Sequence, residues 1–159
     1  MLGWDNFFVA EVGASAALTG LIFVGISISL ARIVSFPHLA TRALKALVVM
    51  LGVLVISSVL LLPASLFDVG VSVLIIGACF WNAEIYLDNR IVKRTPPQYR
   101  RSTSLFVAAG QFASLPFPLG GALILAWGSG GIYLLALGTV FSFLYAIEEA
   151  WVLLIEINR

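Results

Sequence analysis

Stretches without a single charged side chain divide the sequence. Val12 to Ala31 runs 20 residues without a charge, Ala46 to Phe67 runs 22, and Val69 to Ala83 runs 15 before Glu84 interrupts an apolar pattern that continues to Leu87. Ser102 to Ile147 is free of charge for 46 residues. A helix rises about 1.5 Å per residue and a bilayer core is about 30 Å thick, so about 20 apolar residues make one crossing. The last run would reach about 69 Å as one helix, and it is punctuated at Trp127-Gly-Ser-Gly-Gly131, so it reads as two. The pattern predicts an all-α polytopic transmembrane bundle in a single domain, with five spans at about 8–33, 43–66, 69–90, 102–126 and 131–157.

Charge placement orients the spans. Short cytoplasmic loops collect Lys and Arg, and with the amino terminus outside, all nine bases lie at or beside inside segments: Arg32, Arg42, Lys45, Arg90, Lys93, Arg94, Arg100, Arg101 and Arg159. Four spans would strand Arg159 on the other face. The carboxyl terminus is therefore expected inside. Met1-Leu-Gly-Trp-Asp5 lacks the basic region of a cleavable signal, so the first span is expected to act as its own targeting signal. Trp4 and Trp127 fall at the outer side and Tyr99 and Trp151 at the inner, as interfacial aromatics should.

Composition agrees: 61% of residues are hydrophobic and 11% charged, against roughly 25% charged in a soluble domain. Eight acids against nine bases leave a net charge of +1, which gives no case for nucleic-acid binding. One cysteine, Cys79, excludes an intrachain disulfide framework and a cysteine-based zinc site.

In the first span Ala10, Gly13, Ala17, Gly20, Val24, Ser27 and Ala31 recur at spacings of three and four, which sets them on one stripe. Small residues let helix backbones approach closely in lipid. The stripe is expected to pack against another helix of the same chain or to form a seam between protomers. The fourth span carries Gln111 followed by Leu115-Pro-Phe-Pro-Leu-Gly-Gly121. Pro116, Pro118, Gly120 and Gly121 predict a kink or break, which either shapes the bundle or marks a functional site.

Ionisable groups at membrane depth are costly and suggest function. Asp5, Asp68 and Glu11 lie at or near the outer headgroups. Glu84 and Asp88 are four apart on one helical face, with Asn82 nearby in sequence. Glu148 and Glu149 precede the apolar run to Ile155, and Glu149 shares a face with Glu156. His38, Arg42 and Lys45 form one stripe at the start of the second span. Three readings stand: the acids are neutralised by Arg42, Lys45, Arg90 or Arg94; they line a water-filled inner vestibule that attracts cations or protons; or they reach the interface by snorkelling. Ser57 and Ser58 add hydroxyls at mid-membrane. The basic loop Arg90, Lys93, Arg94, Arg100 and Arg101, around Pro96-Pro97, follows from topology and suits anionic headgroups.

Enzymes do not find their parts. The single histidine, His38, falls outside the spans, which deprives a serine or cysteine nucleophile of its base and a carboxylate-bridged metal site of its Glu-x-x-His pattern. No cofactor is expected. Ala16-Ala-Leu-Thr-Gly-Leu-Ile-Phe-Val-Gly-Ile-Ser-Ile28 and Ala150-Trp-Val-Leu-Leu-Ile-Glu-Ile-Asn-Arg159 resemble a family of small bacterial integral membrane proteins, some labelled modulator of the FtsH protease. That resemblance implies a bacterial inner membrane and no defined activity. The functional expectation is a non-enzymatic protein that self-associates and forms or gates an ion pathway. The alternative is an accessory subunit that binds another membrane protein or membrane protease and conducts nothing.

Overall fold

The computed structural model describes residues 3–95 and 100–154, apart from the side chains of Pro37, His38, Arg100, Ser102, Leu153 and Leu154. The described residues are helical, with no strand among them: α1 (Asp5–Ile28), α2 (Leu30–Ser35), α3 (Pro37–Leu60), α4 (Leu66–Arg94), α5 (Arg100–Ser114), α6 (Pro116–Trp127), a 3₁₀ turn (Gly128–Gly130) and α7 (Gly131–Leu154). By length and composition four helical stretches could cross a membrane: Asp5–Ile28, Leu39–Leu60, Leu66–Arg94 and Thr103–Val152.

The fourth stretch doubles back on itself. Ser142 Oγ donates to the Ala113 carbonyl at 3.3 Å, Gly138 abuts Pro116, Gly120 abuts Leu135, and Gly131 abuts Ile124. Residue numbers rise along α5 and α6 while they fall along α7, so the two rods are antiparallel over their shared length. The reversal sits at Gly128, whose φ of +66° is a left-handed position that a side chain would strain. One end of the bundle therefore carries Trp4, the loop 61–65 and the turn at 128–130. The opposite end carries the α2–α3 junction and the end of α4.

Local chemistry explains the boundaries that sequence runs misplace. The second predicted span, 43–66, is observed at Pro37–Leu60. Pro37 sits at the first turn, where its missing N–H costs nothing, and Pro63 cannot continue the helix. α4 begins where Ser65 Oγ accepts from the Asp68 N–H at 3.1 Å and donates to the Asp68 carboxylate at 2.6 Å, a capping arrangement that satisfies an orphan donor. The first predicted span, 8–33, is interrupted at Ser29, whose ψ of 14° separates α1 from α2.

The expected break in the fourth span is a single residue. Leu115 keeps helical angles and its N–H still reaches the Gln111 carbonyl at 2.9 Å, while the next bond, Leu119 N–H to the Leu115 carbonyl, stretches to 3.4 Å. The contacts with α7 run on without a shift on both sides of it. Contrary to the break expected from sequence, Gly120 and Gly121 lie inside a continuous α6 and let it pack: Cβ atoms there would run into Leu135 and into the Leu74 backbone at 2.5 Å. α6 is thus wedged between α7 and α4.

α3 is the central helix. Ala46, Val49, Met50, Val53, Ile56 and Leu60 are buried along it, joined by Val69 and Val73 of α4, Phe117 and Ile124 of α6, and Ile132 and Leu135 of α7. α1 lies outside, touching the bundle through Phe8, Ser15, Ile22 and Gly25. Trp4 pins its start to Tyr133 of α7, edge to face at 5.0 Å.

Candidate functional site

Near the end opposite Trp4, three helices turn charged side chains inward. Arg42 and Lys45 are three residues apart on α3, Glu84 and Asp88 four apart on α4, and Glu149 comes from α7. Helical spacing alone puts each pair on one face, and antiparallel packing brings the faces together. Arg42 grips Glu149 with two bonds, Nε to Oε2 at 2.9 Å and Nη2 to Oε1 at 3.0 Å. Lys45 donates to Asp88 Oδ1 at 2.5 Å. The other Asp88 oxygen accepts from Gln111 Nε2 at 2.7 Å, and Gln111 Oε1 accepts from Trp81 Nε1 at 2.7 Å.

These are deeply buried groups. Lys45 and Glu149 are 0% exposed, Glu84 2% and Asp88 5%. Arg42 lies over the Phe106 ring at 4.6 Å, and the Lys45 ammonium sits 5.0 Å from the centre of the Tyr145 ring, so each cation has an aromatic face as well as a carboxylate. Gly110 has no side chain because the Lys45 head group occupies the space. A buried ion pair offsets its desolvation only with good geometry and further hydrogen bonds; Arg42–Glu149 has the two-bond geometry, and Lys45–Asp88 has the added bond from Gln111.

Glu84 differs. Its Oε2 is buried with no hydrogen-bond partner, although Lys45, Asp88 and the Ser114 hydroxyl are its neighbours. Among the described residues of the layer two cations, Arg42 and Lys45, face three carboxyl groups, and the two ion pairs engage both cations. A cavity of about 10 Å³ lies beside the pairs, lined by Arg42, Asp88, Ile91, Thr103, Phe106, Val107, Tyr145 and Glu149. It has room for about one water. At the far end a funnel of about 550 Å³ is lined by Asp5, Leu60, Pro63, Leu66 and Ser129, among others. The packed apolar core separates the two.

The structure brings together Glu84, Asp88, Glu149 and Gln111 from the expected set, with Arg42 and Lys45 as the partners. It leaves the others apart. Asn82 is exposed and folds back onto the Ala78 carbonyl at 2.8 Å, because a position two residues before Glu84 points elsewhere on the helix. Glu148 is exposed, one residue from Glu149, and lines an open groove with Leu105, Phe106 and Ala109. Ser57 is fully buried with its hydroxyl unpartnered, whereas Ser58 is exposed and bonds the Leu54 carbonyl at 2.7 Å. Arg90, Lys93, Arg94 and Arg101 are exposed, and Arg90 lies over Tyr86, so neither Arg90 nor Arg94 pairs with the buried acids. The expectations for the side chains of His38 and Arg100, for Tyr99 and for Glu156 lie outside the described residues.

The stripe of small residues on α1 faces outward. Gly13, Ala17, Gly20 and Ser27 are exposed, and a Cβ on Gly13 or Gly20 would meet nothing within 4 Å. Of the two readings, a contact within the same chain is not what is found. α1 instead uses its other face for the bundle.

Trp81, Ser114, Tyr145 and Gly110 escape a reading of sequence alone. Trp81 carried a signal, since it precedes Glu84 by three and Asp88 by seven, spacings that share a helical face. Gly110 carried none, since its neighbour Lys45 is 65 positions away.

The fold and site define an all-helical protein with helices apolar enough to cross a membrane and a charged layer sealed in the bundle. No protein-family model, curated protein or solved structure matches the chain.

Proposed function

We propose that the chain is a non-enzymatic protein of the bacterial inner membrane that crosses it five times, self-associates, and carries a cation or proton pathway through its buried charged layer. The observation that carries this reading is the layer itself: five ionisable side chains from three helices, one acid in excess, inside an otherwise apolar bundle. Intramembrane charge is expensive and serves ion or proton pathways in many bundles. Ser57, Ser114, Thr139 and Ser142 add buried hydroxyls to the bundle, which favours a polar route beyond the charged layer.

The doubled fourth stretch supports five crossings, since α5 with α6 and then α7 each have the length of a crossing. Exposed Arg90, Lys93, Arg94 and Arg101 favour a cytoplasmic location for the end nearest the layer. That orientation puts Trp4, the funnel and Ser129 outside, and gives anionic lipid headgroups a basic surface within.

The outward stripe on α1 supports self-association, because small residues at alternating spacings of three and four suit a close helix–helix seam. It equally favours the second reading, an accessory subunit whose α1 binds another membrane protein. Native mass in lipid discs together with ion flux into vesicles separates the two. A homo-oligomer that dissipates a cation or proton gradient is expected. A stoichiometric complex with a larger membrane protein, and vesicles as tight as protein-free ones, would support the accessory role.

A further inference from the structure

Resting on the pathway reading above, we infer that the ion is a proton and that the Glu84 carboxyl is the group that binds it. Three observations converge on this residue. Glu84 is 2% exposed and its Oε2 has no partner. The charges facing it are already committed: Lys45 of α3 to Asp88 on its own helix, and Arg42 of α3 to Glu149 of α7. Gln111 of α5 is spent on Asp88 and Trp81, and Tyr145 of α7 presents its ring to Lys45. A third carboxylate in this enclosure would be an uncompensated buried charge, and one proton removes it.

The same geometry disfavours a metal cation. Sodium, calcium or magnesium needs several oxygens in a shell, and no group of three or more potential metal ligands occurs among the described residues. The small cavity of the layer, which Glu84 does not line, admits about one water, and the Lys45 ammonium, bound to Asp88 and close enough to act on Glu84, is already a tethered cation there. A proton needs only a lone pair and a hydrogen-bond acceptor. Ser114 supplies that acceptor: its own hydroxyl hydrogen goes to the Gly110 carbonyl at 2.9 Å, which leaves its oxygen free to accept from a protonated Glu84. No bond other than O–H is made or broken. The proton passes between the Glu84 carboxyl and a water molecule, which becomes hydronium as the carboxylate forms.

Infrared difference spectra of the full chain in lipid, recorded across a pH step in H₂O and D₂O, test this directly. A buried carboxylic-acid C=O band that shifts in D₂O is expected, absent in Glu84→Gln and retained in Glu11→Gln. Glu11 is the appropriate comparison because its Oε2 is also buried without a partner, at the other end of the bundle. Glu84→Gln keeps the shape of the side chain, and an unchanged native mass shows that it has folded. In vesicles, Glu84→Gln is expected to lower proton flux at least tenfold. No carboxylic-acid band, or a band that persists in Glu84→Gln, overturns the inference. Sodium or potassium flux that Glu84→Gln leaves unchanged also overturns it while sustaining the pathway reading. A band that vanishes in Glu84→Gln, from a wild type that passes no ion, upholds the proton site and removes the pathway.

Discussion

Lys45 is the residue on which the charged layer depends most. It is wholly buried, it holds Asp88 at 2.5 Å, and it lies against Tyr145 and Gly110. Breaking a buried pair by removing one partner costs roughly 3–5 kcal/mol, whereas replacing both with apolar residues of similar volume is often close to neutral. Asp88→Ala should therefore lower the thermal midpoint in detergent strongly, an effect read without any transport assay. The double variant Lys45→Met with Asp88→Leu should recover most of the loss. Gln111 tempers the recovery, because the double variant deprives it of its Asp88 partner while Trp81 remains. Recovery in the double variant would identify this pair as a stability element separable from Glu84.

At the scale of elements, glycines play two opposite parts. Gly121 brings α6 against α4 so closely that a Cβ would lie 2.5 Å from the Leu74 nitrogen. Gly121→Ala should destabilise the bundle by about 1–3 kcal/mol, as overpacking does, visible as a lower unfolding midpoint in denaturant. Gly20, open on the outer face of α1, should tolerate Ala without loss of monomer stability, whereas Gly20→Leu should shift the native mass in lipid discs from oligomer to monomer. Sequence reading locates both sets of small residues but not their partners. Spacing puts Gly13, Ala17, Gly20 and Ser27 on one face, yet only packing shows which face of α1 meets the bundle. The faces of α4 were more legible, because Glu84 and Asp88 at i and i+4 must point the same way. Their cations were legible as a stripe on α3. Pairing Arg42 with Glu149 across 107 positions requires the tertiary fold.

Across the whole molecule, the apolar runs foretold the long helices because hydrophobic length is written directly into sequence. The ends of those helices are governed by Pro37, Pro63 and Ser65, whose effects are local and do not follow from charge-free length. Topology ties the layer, the loops and the bases together. Cytoplasmic and outer faces can be labelled separately once Cys79, which is exposed, is replaced by alanine. Single cysteines at Ser129→Cys, in the turn between α6 and α7, and at Arg101→Cys, at the start of α5, then report the two faces. A membrane-impermeant maleimide added to intact cells should label Ser129→Cys at once and Arg101→Cys only after permeabilisation. Labelling of both from the same side, or of Arg101→Cys alone, would contradict a five-crossing bundle with its charged layer toward the cytoplasm.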